Sequence, residues 1–290
     1  MKRILLKLSV ALVIAVGVAA AATAYAFRGG PHQMMKRHMA AVFGEALDAV
    51  KATPDQRTRL EAIKDRTEQQ LMGLHVDRGG HLAEAAQLFE ADKIDSSRVA
   101  ELKSERTAQM RKAGDIVVAA VTEAHDVLSP AQRQQLADFV KARRAEHAGW
   151  RGGMMKHMVS GRIDDALDTV SASAEQRTAI LAARDHVFES FAANHPTDGG
   201  AELDKALALF VADKIDGAQV TAIRADHEAR MQKTADAVTQ AIYDVHDALT
   251  AAQRKTLVEH IRAKVQQHHG RRGHHGPGPG PGTGAANEEG

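Results

Sequence analysis

The sequence predicts an all-α protein built from two tandem copies of one helical unit, and three observations carry this. Aromatic residues make up only 3% of the chain, alanine is abundant and β-branched runs are missing, a composition that suits helices rather than sheets. Apolar residues recur at three- and four-residue spacing over long stretches, the period of one helix face. Slid against itself by about 120 residues, the chain aligns over most of its length, the signature of internal duplication.

The aligned segments fix the organisation. MMKRHM at Met34 answers MMKHM at Met154, EALDAV at Glu45 answers DALDTV at Asp165, and ADKID occurs at both Ala91 and Ala212. EAHDVLSPAQR from Glu123 answers DVHDALTAAQR from Asp244. One unit is predicted over residues 34–147 and the other over residues 154–269, joined near Ala148 to Gly153. Each unit reads as four helices: Met34 to Val50, Pro54 to Leu74, a long third segment from Leu82, and Pro130 to His147, with their counterparts. Gly79-Gly80 and Gly199-Gly200 break the chain after the second helix. The third segment pauses at Asp95 or Asp216. It then carries the stripe Val99, Leu102, Met110, Val117, Val121, Ala124 and Leu128, matched by Val220, Ile223, Met231, Val238, Ile242, Val245 and Leu249.

Four helix starts share one phrase. Thr53 precedes Gln56 by three residues, as Ser129 precedes Gln132, Ser173 precedes Gln176 and Thr250 precedes Gln253. A hydroxyl followed three residues later by glutamine is a capping box, in which each side chain satisfies a backbone N–H that the first turn leaves unpaired. Pro54 and Pro130 stand at the first helical position, where proline forfeits no hydrogen bond. Capping does not require the arginine that follows every one of these glutamines.

Lys2, Arg3 and Lys7 precede an apolar run that ends at Ala24-Tyr25-Ala26, the pattern of a secretory signal cut after Ala26. The run is nearly long enough to span a bilayer, but its alanine-rich second half and small-x-small site favour cleavage, leaving no stable membrane insertion. The chain contains no cysteine, which excludes a lipoprotein anchor, disulfides, thiolate metal sites and cysteine catalysis. Net charge is +1 and becomes about −2 when the three leader cations depart. Nucleic acid, which needs a clustered basic footprint, is therefore not an expected partner. Residues 270–290 are Gly/Pro/His-rich and are expected to be disordered.

With a leader, no cysteine, long helices and this repeated phrase, the chain resembles the Spy/CpxP family of periplasmic proteins, marked by two LTxxQ motifs per domain. Leu249-Thr250-Ala251-Ala252-Gln253 matches in full, and Leu128-Ser129-Pro130-Ala131-Gln132 with serine for threonine; the earlier pair has Ala52 and Ala172 in place of leucine. The resemblance implies hooked four-helix hairpins that pair into a curved cradle, here as a pseudo-dimer within one polypeptide. It also implies a periplasmic location and an ATP-independent chaperone activity toward unfolded periplasmic or outer-membrane proteins. An envelope-stress sensor kinase is an implied partner. Relatives that bind zinc or sense nickel and cobalt supply the alternative, a metal-binding envelope-stress protein.

The residues give each reading its candidates. No GxxxxGK or GxGxxG is present, so no nucleotide-driven cycle is expected. Flexible thioethers suit varied partners, which nominates Met34, Met35, Met39, Met154, Met155 and Met158 for client binding; Met72 reads as a core filler. For metal, His268, His269, His274 and His275 in the tail are imidazole donors for zinc, nickel or copper. His32, Met34, Met35, His38 and Met39 form a soft-ligand cluster. His227 and Met231 stand one helical turn apart, as in the nickel/cobalt sensors, although the sensors' HxxxH is missing. No cofactor is required by any of these. His125-Asp126 and His246-Asp247 lack a nucleophile and a pocket, so they read as structural histidines at helix C-termini and the protein as no enzyme. More acids than bases in the second unit argue against a uniformly basic client surface.

Overall fold

The computed structural model describes residues 31–74, 78–145, 151–194 and 200–270. Within these it describes all side chains except those of residues 31–37, 78–79, 81–82, 151–156, 158 and 266–270. The leader and the tail after Gly270 lie outside the described residues. Among the described residues there are ten α-helices and no strand. The first unit consists of α1 (Pro31–Ala49), α2 (Pro54–Gly73), α3 (Arg78–Glu90), α4 (Ser96–Val127) and α5 (Pro130–Ala145). The second consists of α6 (Arg151–Thr169), α7 (Ala174–Asn194), α8 (Gly200–Val211), α9 (Gly217–Ala248) and α10 (Ala251–Gly270).

Each unit therefore has five helices rather than the expected four. The long third segment is two helices, because Asp95 and Asp216 act as N-caps and start a new one. Asp95 accepts from the backbone N–H of Ser97 at 2.9 Å and Arg98 at 3.1 Å, and Asp216 from those of Ala218 at 2.8 Å and Gln219 at 3.3 Å. The Gln219 side chain, together with those two N–H groups, holds the Asp216 carboxyl below its ordinary range. The glycine pairs fall elsewhere than expected: Gly79 and Gly80 lie in the first turn of α3, and Gly200 opens α8.

Helix α1 ends in a Schellman turn. The N–H of Ala52 donates to Leu47 O and that of Lys51 to Asp48 O, both at 3.0 Å, with Lys51 at φ 50°. The second unit repeats this with Ala172 to Leu167, Ser171 to Asp168, and Ser171 at φ 50°. The alanine standing where the motif expects leucine is thus the residue that follows the left-handed position; Ala52 is buried beside Leu47 in the core.

Within the units, α2 packs along α4, α1 against α5, α7 along α9 and α6 against α10. Between the units, α3 packs on α10 and α8 on α5, so each unit lends its short helix to the other. Phe210 of α8 joins the first unit's core of Val42, Phe43, Leu47, Leu60 and Leu136. Phe89 of α3 packs against the second unit's core of Leu167, Val170, Ile180 and Leu249. A third cluster is mixed, with Ala137 and Val140 of α5 against Leu207 of α8.

Candidate functional site

The four capping phrases meet in pairs. In the first unit Gln56 Oε1 accepts from the Thr53 N–H at 3.0 Å while Thr53 Oγ1 accepts from the Gln56 N–H at 3.3 Å. The Ser129–Gln132 pair makes the same two bonds at 3.0 and 3.3 Å. The amides then turn toward each other: Gln56 Nε2 donates to Gln132 Oε1 and Gln132 Nε2 to Gln56 Oε1, both at 2.8 Å. Each Nε2 also donates across the pair to the chain end that precedes the opposite motif, Gln56 to Val127 O at 2.9 Å and Gln132 to Val50 O at 3.2 Å. Gln176 and Gln253 repeat this clasp at 2.8 and 2.9 Å, with donations to Ala248 O and Val170 O. Both amide protons and the amide oxygen are satisfied, so glutamine is required here beyond its capping role.

The arginines after the glutamines differ between the motifs. Arg57 and Arg177 fasten the turn before their own helix, bonding Ala52 O and Asp48 in one unit and Ala172 O and Asp168 in the other. Arg133 and Arg254 are buried. Their Nη1 atoms donate to Leu128 O at 3.1 Å and Leu249 O at 2.9 Å.

These buried arginines sit at the seam between the units, together with the two histidines. His125 Nε2 lies 2.8 Å from Ala212 O, and His246 Nε2 lies 2.9 Å from Ala91 O. A carbonyl only accepts, so each Nε2 carries a proton. The His125 ring stands nearly perpendicular to that of Phe210, and the His246 ring to that of Phe89. Arg254 Nη2 also donates to Ala91 O at 3.2 Å. The histidines are structural, as their neighbourhood in sequence suggests, but their partner is the other unit's ADKID turn rather than their own helix dipole. Every residue of that repeated pentapeptide except the lysine has a visible task. Ala91 presents the carbonyl, Asp92 faces Arg254 at 3.9 Å, Ile94 is buried and Asp95 caps α4.

Helices α4 and α9 run antiparallel across the same boundary. Lys103 pairs with Asp236, Arg224 with Asp115 at 2.6 Å, and Arg111 with both oxygens of Glu228. Hydrogen bonding to Arg111 holds the Glu228 carboxyl below its ordinary range. Gly114 lets the pair approach: a Cβ there would stand 3.1 Å from Arg224 Nη2.

The apolar stripes of these two helices do not close on each other. They line an open groove of 2260 Å³ that draws on both units. Met110, Val238, Ile242 and Ile261 in its lining are 40, 41, 47 and 43% exposed, large values for apolar side chains gathered in one concavity. The sequence stripe is thus at least partly exposed along much of its length and buried only toward Ala124, Leu128 and Leu249. Most cations on the lining are held in ion pairs; Arg106 and Arg162 are in none among the described residues.

The nominated residues are dispersed. Met34 and Met35 lie in α1, and Met154, Met155 and Met158 in α6, with side chains outside the described residues. Met39 is half-buried and does not line the groove. Met72, read as a core filler, is instead 37% exposed near the end of α2. His227 and Met231 both line the groove, His227 with Nδ1 3.4 Å from Glu202. His268 and His269 fall in the last turn of α10 with side chains outside the described residues, as His274 and His275 are altogether. His32 is in α1 with its side chain likewise undescribed, and His38 is half-buried. Among the described residues no group of three or more His, Cys, Asp or Glu side chains converges as a metal site.

The fold and this surface define a class: an all-helical tandem repeat whose units exchange short helices and expose an apolar groove. Residues 8–135 match the family model described as heavy-metal resistance, and residues 158–261 match that of the LTXXQ motif family protein. Both are Spy/CpxP-type families, matched in tandem along the chain, and their members are typically periplasmic. No curated protein and no solved structure matches the chain. Among the described residues no helix is long and apolar enough to cross a membrane.

Proposed function

We propose that the protein is an ATP-independent holdase of the periplasm, exported by its N-terminal segment, that binds unfolded or stress-damaged envelope proteins in the groove between α4 and α9. The observation that supports this best is the groove itself, a wide apolar concavity with exposed Met110, Val238, Ile242 and Ile261. Such a surface binds chains that expose apolar segments and releases them when they bury those segments, a selectivity for the unfolded state that needs no nucleotide. The thioethers of Met110 and Met231 in the lining suit varied occupants. No bond is made or broken in this activity, so the protein acts as a binder and not an enzyme. An envelope-stress sensor kinase is a further partner consistent with the family.

The heavy-metal resistance match over the first unit favours a second reading, in which the protein binds zinc, nickel or copper, with the tail histidines as donors. One experiment separates the two: aggregation of a denatured model protein, followed with the tail intact and deleted, each with zinc and with chelator. Suppression that is indifferent to tail and metal supports the holdase; suppression only with tail and zinc supports the metal reading.

A further inference from the structure

Equivalent positions of the two units are not equally closed. Val42 and Val140 are 2 and 4% exposed in the first unit. Their counterparts are Arg162, which is exposed, and Ile261, at 43%. Phe43, Ala46 and Leu136 are buried, whereas Ile163, Ala166 and Leu257 are only partly so. The groove follows this difference. It is lined by residues of α6, α7 and α10 in the second unit, including Arg162, Val187, Phe188 and Ile261, while the first unit's counterparts α2 and α5 contribute only Leu71, Leu136 and Val140, and among the described side chains α1 contributes none.

The cause is chemical. A guanidinium cannot take the place of Val42 inside an apolar core without a partner, because burying an unpaired charge is prohibitive. Arg162 therefore stays at the surface, and the face of α10 whose counterpart on α5 packs with Val42 and its neighbours in the first unit is left open. At His260, where the first unit has Phe139, the ring bonds Asp165 at 3.1 Å rather than filling space.

We propose that this second-unit cleft, walled by α6, α7, α9 and α10, is the capture site, and that the first unit is a closed frame that holds it. The occupant is an apolar segment of an unfolded chain with a carboxylate beside it: the side chains seat on Ile242 and Ile261, and the carboxylate meets Arg162. Charge complementarity supports this choice, since Arg162 lines the cleft with no ion pair or hydrogen bond among the described residues. The assignment rests on the holdase reading and sharpens it to one half of the groove.

The test uses the full chain and a permanently unfolded acidic probe, reduced and carboxymethylated α-lactalbumin, with binding read by fluorescence anisotropy. Ile242→Asp with Ile261→Asp should weaken binding about ten-fold or more, since an apolar segment would then cover unpaired carboxylates, whereas Arg106→Asp, at the exposed cation on the first unit's side of the groove, should change it less than about two-fold. Arg162→Val should raise the melting temperature, by allowing the first unit's closed packing, and at the same time lower affinity; a merely structural role would move both together. Blocking the probe's carboxyl groups should weaken its binding to the unaltered protein. Equal losses from Arg106→Asp and from the isoleucine pair, or no loss from the pair, would overturn the assignment while leaving the holdase standing. A dimer of the unaltered protein that the isoleucine pair dissolves would make a second copy the occupant and overturn it too. If the unaltered protein bound no unfolded probe at all, the holdase reading itself would fail, and the capture site with it.

Discussion

His246 Nε2 donates to the carbonyl oxygen of Ala91 across 2.9 Å and 155 residues of chain. Its counterpart, His125 to Ala212 O at 2.8 Å, runs the other way. Both bonds are made within one chain, so the protein is expected to be a monomer in sedimentation at micromolar concentration; a stable dimer with each unit joined to its own copy would contradict this. Removing one ring orphans a carbonyl at the seam, and His246→Ala should cost about 1–3 kcal/mol in denaturant unfolding.

The glutamine clasp makes a coupled prediction. Gln132→Ala strips the cap of α5 and leaves the Gln56 amide without its partner, so it should lower stability by about 1–3 kcal/mol. The double variant Gln56→Ala/Gln132→Ala should cost less than the sum of the singles, because both remove one shared interaction. Suppression of aggregation should persist in these variants at temperatures where they remain folded.

Lys51 and Ser171 hold left-handed conformations at φ 50°, which glycine adopts without a Cβ penalty. Lys51→Gly should therefore stabilise the protein by about 0.5–1 kcal/mol, seen as a raised denaturation midpoint with unchanged slope.

Asp165 tethers α6 to α10 through Lys264 at 3.2 Å and His260 at 3.1 Å. Hydrogen bonding to Lys264, then the charges of Lys264 and His260, hold its carboxyl below the ordinary range. A depressed carboxyl contributes stability above its unfolded pKa and loses that contribution as pH falls through the folded value. Asp165→Asn should thus lower the melting temperature at pH 7, and the gap from the unaltered protein should close as pH drops below about 4.

For metal, no three-donor cluster converges among the described residues, so ions should bind chiefly through the tail histidines. Deleting residues 268–290 should remove most zinc or nickel binding in calorimetry and leave suppression of aggregation nearly unchanged. Stoichiometric binding that survives deletion and is lost in His227→Ala would place an ordered site in the second unit instead.

Much of the fold was legible because helix periodicity, caps and duplication are local or near-verbatim signals. Thr53 with Gln56 and Ser129 with Gln132 mark helix starts within four residues of sequence. The clasp between Gln56 and Gln132 was not legible, since nothing local tells a capping glutamine that its amide will meet another 76 residues away. The recurring Gln-Arg was the clue: capping leaves the arginine unexplained, and the structure gives it two different tasks. The groove's lopsidedness also left a trace. An arginine, Arg162, interrupts a stripe in which the first copy has Val42, a mismatch visible in the alignment but meaningful only once the neighbours of both are known.

The exchange of short helices also sets an order of assembly. Phe210 belongs to the core of a unit whose other members end at Leu136. With only the first 145 residues present, that core is still one aromatic ring short, and the ring comes from a later segment of the chain. Closure over such separations is entropically slow. The leading half of the chain must therefore wait, incompletely packed, and it reaches its final state only once α8 is present to supply Phe210.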